Sequence, residues 1–287
     1  MKKPTQAMLL VVVVCIFGFP GRSSPRLPIR ALAMGGACLA LPVSSDALFL
    51  NPAALGLSAR AELSSNTWSA GPGLASQVVL SGQRGALGFE AFSFGDCSLV
   101  DEDGNVLGSF SYAEWCLAGG GVWLRSQVGT RFPIALSAGS TIRATLIDSA
   151  NSEGTWSLDT GILLSAIDLG GRFVDGVSMG IVARGVLGTH TFTQADFADA
   201  TAGFGVACRV LGLWWLAVDF MSDGSASLGY TCQASRMLSI QGGVRSCGVL
   251  SPSFGVALAM ERVSIELALE AHPLLGPCGG AAVRFRW

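Results

Sequence analysis

The stretch Arg262-Val263-Ser264-Ile265-Glu266-Leu267-Ala268-Leu269-Glu270 changes chemistry at every residue. On an extended chain Val263, Ile265, Leu267 and Leu269 fall on one side and Ser264, Glu266, Ala268 and Glu270 on the other. The final residues repeat the pattern, with Val283, Phe285 and Trp287 on one side and Arg284 and Arg286 opposite. Further back, Phe254, Val256, Leu258 and Met260 alternate with Ser253, Gly255, Ala257 and Ala259. Trp214, Leu216, Val218 and Phe220 leave Asp219 on the other face, and Leu238, Ile240 and Val244 oppose Ser239, Gln241 and Arg245. Ile142, Ala144 and Leu146 likewise oppose Thr141, Arg143 and Thr145. The second face is glycine, small hydroxyls and scattered charge, as expected of a strand with lipid on one side and a lumen on the other.

Segments of this kind, separated by breakers such as Asp101-Glu102-Asp103-Gly104-Asn105 and Ser222-Asp223-Gly224, recur from Ala61 to Trp287. They number about fourteen, at roughly 16 residues per strand with its turn, which suits spanning strands of about 9 to 11 residues. The fold class is therefore all-β, a transmembrane antiparallel β-barrel of about 14 strands. Closure removes the sheet's edges and pairs every backbone group without water. A barrel of this width encloses a lumen that something must line or plug.

Composition agrees. Half of the 287 residues are hydrophobic and 13% are charged, yet 38 are glycine. The longest apolar run, residues 7–19, falls short of the 18 or so residues that mark a spanning helix. Lys2 and Lys3 precede it and Gly21, Ser23 and Ser24 follow, so residues 1–24 read as a signal peptide cleaved near Ser24. Cleavage leaves 15 basic residues, all arginine, against 20 acidic ones, a net charge of −5. That balance speaks against nucleic acid, and it offers no polybasic stretch for anionic headgroups.

Beyond the leader stand Cys38, Cys97, Cys116, Cys208, Cys232, Cys247 and Cys278, an odd number without a Cys-x-x-Cys, best read as small apolar fillers. His190 and His272 are the only histidines, so no metal or cofactor is expected. Neither is catalysis, because no nucleophile, base and acid stand in a recognisable arrangement.

The segment from Arg30 to Leu55 contains Gly35-Gly36-Ala37 and then Asp46 shortly before Asn51-Pro52-Ala53. It resembles the N-terminal signature of the FadL and PorV-like outer-membrane barrels. Gly88-Phe89-Glu90-Ala91-Phe92, the stretch from Asp101 to Phe110, and Ser157-Leu158-Asp159-Thr160-Gly161 resemble the PorV-like branch. Two positions depart from the pattern: Ala54 stands where the family usually has glycine, and Arg143 where a mid-barrel strand carries lysine. The resemblance implies a fourteen-stranded barrel, residues 59–287, with residues 25–58 folded into its lumen as a hatch. In the FadL branch it implies an outer-membrane passive transporter for hydrophobic small molecules such as long-chain fatty acids. In the PorV branch it implies a structural or secretion-associated barrel that binds partner proteins of the secretion machinery. Either places the protein in the cell outer membrane with lipid around it.

Asn51 is suited to cap a helical turn and Pro52 to begin one. Gly35 and Gly36 suit close backbone approach to the barrel wall. Alternation assigns Glu90, Arg143, Asp159, Arg184, Arg209, Asp219, Arg245, Glu266, Glu270, Arg284 and Arg286 to the lumen. Their mixed signs suit a salt-bridge lattice that holds a plug more than an ion-selective pore. The fork of Arg143 or Arg184 suits a fatty-acid carboxylate. If the last hairpin turns at Gly276, residue numbers summing to about 552 lie opposite one another, which sets Glu266 across from Arg286.

Overall fold

The computed structural model describes residues 27–41, 45–57, 61–70, 73–100, 106–129, 134–148, 153–167, 169–190, 200–273 and 276–287. The signal peptide and cleavage point expected within residues 1–24 and the breaker expected at 101–105 lie outside the described residues. One wall is built from β1 (Glu62–Ala70), β2 (Gly73–Ser81), β3 (Gly85–Val100), β4 (Val106–Val128), β5 (Ile134–Asp148), β6 (Glu153–Ile167) and β7 (Val174–His190). The other is built from β8 (Thr201–Val210), β9 (Trp214–Met221), β10 (Ala226–Gln233), β11 (Leu238–Ser246), β12 (Leu250–Ala259), β13 (Val263–His272) and β14 (Gly276–Arg286). Each strand pairs antiparallel with its neighbours in sequence, and β14 returns to β1 from Glu62↔Arg286 to Ser69↔Gly279. The sheet is a closed fourteen-stranded barrel. No described helix is long and apolar enough to cross a membrane.

The two-residue period is what the structure uses. Along β13, Ser264, Glu266, Ala268 and Glu270 are buried while Ile265, Leu267 and Leu269 are exposed. Leu74, Val78 and Leu80 of β2 and Leu216 and Phe220 of β9 continue this exposed apolar exterior. In water such a surface would be a severe liability, but against acyl chains it is the stable arrangement. Strands β8 to β14 are 8 to 11 residues long, enough to span. Strands β3 to β7 run 15 to 23 residues and make that side of the barrel taller.

The register of the last hairpin differs from the sequence expectation. Glu266 pairs with Ala282, and the ladder continues to His272↔Gly276. Gly276, at φ +76°, therefore closes the turn instead of centring it. The offset is an even number of residues, so each side chain keeps its expected face. Arg284 takes Glu266 at 2.9 Å, and Arg286 reaches across the closing seam to Glu62 at 2.8 Å.

Phe285 and Trp287 project outward from the last strand. Replacing both with aspartate is expected to impair assembly, since a charge on the lipid face costs about 2 to 4 kcal/mol near the midplane and less near the interface. Loss of heat-modifiable gel mobility would show it, and native mobility would contradict it.

Candidate functional site

The described residues of the N-terminal segment pack against the inward face of the barrel, and local sequence explains their path. Helix α1 (Ile29–Ala33) is a single short turn. It ends where Gly36 N–H donates to Ala31 O at 2.7 Å, with Gly35 at φ +62° and Gly36 at φ +91°. This left-handed exit is one that glycine adopts without a Cβ penalty. The chain later makes two 3-10 turns, Ser45–Leu48 and Pro52–Leu57. Pro52 begins the second as expected, and Asn51 Oδ1 accepts from Ala53 N–H at 3.2 Å. Asn51 Nδ2 also donates to Leu39 O at 2.8 Å, tying the two halves of the segment together.

The wall meets the segment in two ways. Where the backbone comes closest, the wall carries glycine. A Cβ on Gly243 or Gly229 would strike the Met34 carbonyl group, one on Gly180 the Leu39 carbonyl, one on Gly255 the Ala33 side chain, and one on Gly139 the Pro52 carbonyl. The expected close approach of Gly35 is seen as well, since a Cβ there would sit 2.6 Å from Val244 N. Elsewhere the wall supplies hydroxyls. Ser137 Oγ donates to Ala53 O at 2.7 Å, Thr141 Oγ1 to Leu48 O at 3.2 Å and Ser253 Oγ to Ala33 O at 3.0 Å. Hydroxyls on the inward faces of β5 and β12 thus bind carbonyls of the segment.

Charged anchors sit between these contacts. Arg284 and Asp46 are fully buried and 2.7 Å apart, and the same guanidinium holds Glu266. Beside them Glu62 accepts from Ser45 Oγ at 2.6 Å and from Arg286. Burial, the larger influence, raises the Asp46 carboxyl above the usual carboxylate range, with Arg284 opposing it. On the opposite wall Asp219 accepts the backbone N–H groups of Cys38 at 2.6 Å and Leu39 at 2.8 Å. Asp159 pairs with Arg143 and accepts Gly185 N–H at 3.0 Å, where β7 bulges against β6. Arg184 donates to Leu50 O at 3.2 Å. Glu90 closes an inward chain from Asn66 through Gln77, at 2.8 and 3.1 Å. Arg245 pairs with Glu270 at 2.8 Å and Arg209 with Asp175 at 2.9 Å.

Every lumen charge assigned by alternation therefore faces inward, though the structure distributes them over several separate pairs. Asp46 joins Glu266 and lies beside the Arg286–Glu62 pair, Arg143 joins Asp159, and Glu90 stands with neutral amides. Glu62 escaped the sequence reading because outward Ser65 and Thr67 dilute the alternation of β1. Also missed was an inward aromatic group. Phe92 and Phe94 stack edge to face with centroids 4.8 Å apart, and Tyr112 lies 6.2 and 6.3 Å from them. Phe92 packs with Trp68, Ile29 and Leu32, so an aromatic surface borders the segment. Its signal was available in the alternate spacing of Phe92 and Phe94.

No family model matches the sequence, and no curated protein matches it significantly. Solved structures do match in shape. The toluene transporter TbuX of Ralstonia pickettii is 11% identical, with a TM-score of 0.57 over 94% of this chain and 100% of that one. The toluene transporter TodX of Pseudomonas putida is 12% identical, with a TM-score of 0.55 over 90% and 97% of the two chains. The monoaromatic hydrocarbon channel CymD is 12% identical, with a TM-score of 0.57 over 91% and 97%. Strand number, closure and near-complete overlap agree, and the protein has the fold of the FadL family of outer-membrane hydrocarbon channels.

Proposed function

We propose that the chain is an outer-membrane passive channel for hydrophobic small molecules, made with a cleaved signal peptide over residues 1–24. Residues 25–58 serve as its hatch and residues 59–287 as its barrel. The observation that carries this reading is the aromatic surface of Phe92, Phe94, Tyr112 and Trp68, which faces the interior and borders the segment. Edge-to-face aromatic groups offer favourable contacts to a small apolar solute and give a polar one little to bind. The transport substrates named for TodX, TbuX and CymD are of this kind. Within that class, long-chain fatty acids are the narrower reading, for which Arg143, its guanidinium over the Phe49 ring, offers a carboxylate partner.

In this reading Gly35, Gly36, Asp46, Asn51, Pro52 and Ala53 set the shape of the hatch. Arg184 holds it through the Leu50 carbonyl and Glu266 through the Arg284 shared with Asp46, while the Arg143–Asp159 and Arg286–Glu62 pairs and Glu90 with its amides brace the wall around it. The mixed signs leave no net field to select an ion. The test is uptake by liposomes carrying the folded barrel, set against empty liposomes, with labelled toluene and a labelled fatty acid supplied separately. Faster entry of at least one is expected, with the Phe94→Ala, Tyr112→Ala double variant slower. Rates equal to empty liposomes for both solutes would overturn the proposal.

A further inference from the structure

Twelve arginines are described, and they divide by position. Arg143, Arg184, Arg209, Arg245, Arg284 and Arg286 point into the barrel, Arg30 lies on the N-terminal segment, and Arg125 is exposed within β4. Arg84, Arg172, Arg236 and Arg262 are exposed, and each lies in a turn: 82–84, 168–173, 234–237 and 260–262. All four turns are at the end of the barrel where β1 begins and β14 ends, spaced around it between β2 and β3, β6 and β7, β10 and β11, and β12 and β13. None of the four arginines has an ion-pair partner among the described residues, and Arg172 contacts only the ring of its neighbour Phe173 at 5.9 Å. Glu261 is the one exposed acid described in these turns.

This end of the barrel carries a second anomaly. Phe173, Leu211, Leu213, Met237 and Met260 lie in the turns of this end, and each is at least half exposed. Turns that project into water are ordinarily polar. At the opposite end the described turn Ser222-Asp223-Gly224 between β9 and β10 is polar throughout. A turn that presents a guanidinium beside a large apolar side chain is badly placed both in bulk water and in hydrocarbon. The headgroup layer suits both groups, with the apolar side chain at the acyl boundary and the guanidinium forked onto a phosphate.

We propose that this rim is a binding surface for anionic glycerophospholipid headgroups, a ring of arginine sites that fixes how deep the barrel sits in the leaflet on the side of its termini. Short turns and chain termini belong to the inner face of such barrels, and the inner leaflet is the one built of glycerophospholipid. The proposal is independent of what passes through the lumen. A scan for basic runs finds nothing here because the four arginines are at least 26 residues apart in sequence, and only barrel closure gathers them.

The test takes the folded full-length barrel in neutral detergent, offers it phosphatidylglycerol or phosphatidylcholine, and counts retained lipid by native mass spectrometry. Retention of phosphatidylglycerol is expected to exceed that of phosphatidylcholine by about fivefold or more, from roughly 1 kcal/mol for each arginine at the surface. The R84Q, R172Q, R236Q, R262Q variant is expected to lose the preference while keeping heat-modifiable mobility. If the fourfold variant does not fold, the pairs R84Q, R236Q and R172Q, R262Q are each expected to lose part of it. Equal retention of the two lipids by the native barrel, or an undiminished preference in the variants, would overturn the proposal. So would variant-sensitive retention of lipopolysaccharide in place of phosphatidylglycerol, which would put the rim in the other leaflet.

Discussion

Replacing Arg284 with methionine is expected to destabilise the folded barrel by about 3 to 5 kcal/mol, the usual cost of leaving buried charge without its partner. The guanidinium is fully buried and holds two carboxylates from different parts of the chain, Asp46 at 2.7 Å and Glu266 at 2.9 Å. Its loss leaves both acids facing each other without a cation. The midpoint of heat-induced mobility change measures the effect, and a shift no larger than that of an exposed substitution such as Ser69→Ala would refute it. Two controls separate charge from packing. D46N, E266Q, R284M removes all three charges and is expected to recover most of the loss, because a neutral isostere of a buried ion network is often no less stable. The pH dependence gives the second. Asp46 already has a raised carboxyl pKa, and removing the opposing arginine raises it further. A group whose folded pKa is raised holds its proton more tightly in the folded state, so stability falls as pH rises through that range. The R284M defect is therefore expected to be milder in acid than at neutral pH.

Deleting residues 27–57 is expected to raise single-channel conductance in planar bilayers by about an order of magnitude or more, because a barrel of this strand number has a lumen wider than its own side chains fill. The segment's described residues are almost wholly buried against the interior, and the fourteen strand pairings do not include them. Heat-modifiable mobility should survive while conductance changes. Conductance equal to that of the intact protein would show that the segment does not obstruct the lumen. A milder variant, Gly229→Val, drives a side chain into the Met34 carbonyl and is expected to move conductance in the same direction by less.

How much of this could be read from the sequence depended on how local the determinant was. Face assignment is local: Asp219 points inward because Val218 and Phe220 cannot, and the same holds for Glu266, Arg284 and Arg143. Pair identity is not local. It depends on register, which the last hairpin shows to be offset from a turn centred at Gly276, so Glu266 found Arg284 and Arg286 crossed the seam to Glu62. Position on the barrel is still less visible, since Arg84 and Arg262 share a rim only after all fourteen strands have closed. The aromatic group fell between these cases. Phe92 and Phe94 share a face by simple alternation, but Tyr112 joins them only through the pairing of β3 with β4.

The glycines of the wall have a further consequence for motion. Gly139, Gly180, Gly229, Gly243 and Gly255 sit on five different strands, each opposite one particular atom of the N-terminal segment. Together they form a cast of that segment in a single position. A shift of the segment by one residue would bring side chains against wall positions that carry their own side chains and leave the glycine hollows facing nothing. Close-packed contacts of this kind are lost or kept together instead of being traded one by one. The segment therefore cannot creep along the wall by small steps. If it acts as the proposed hatch, it is expected to stay seated or lift as a piece, so that opening of the lumen is all-or-none.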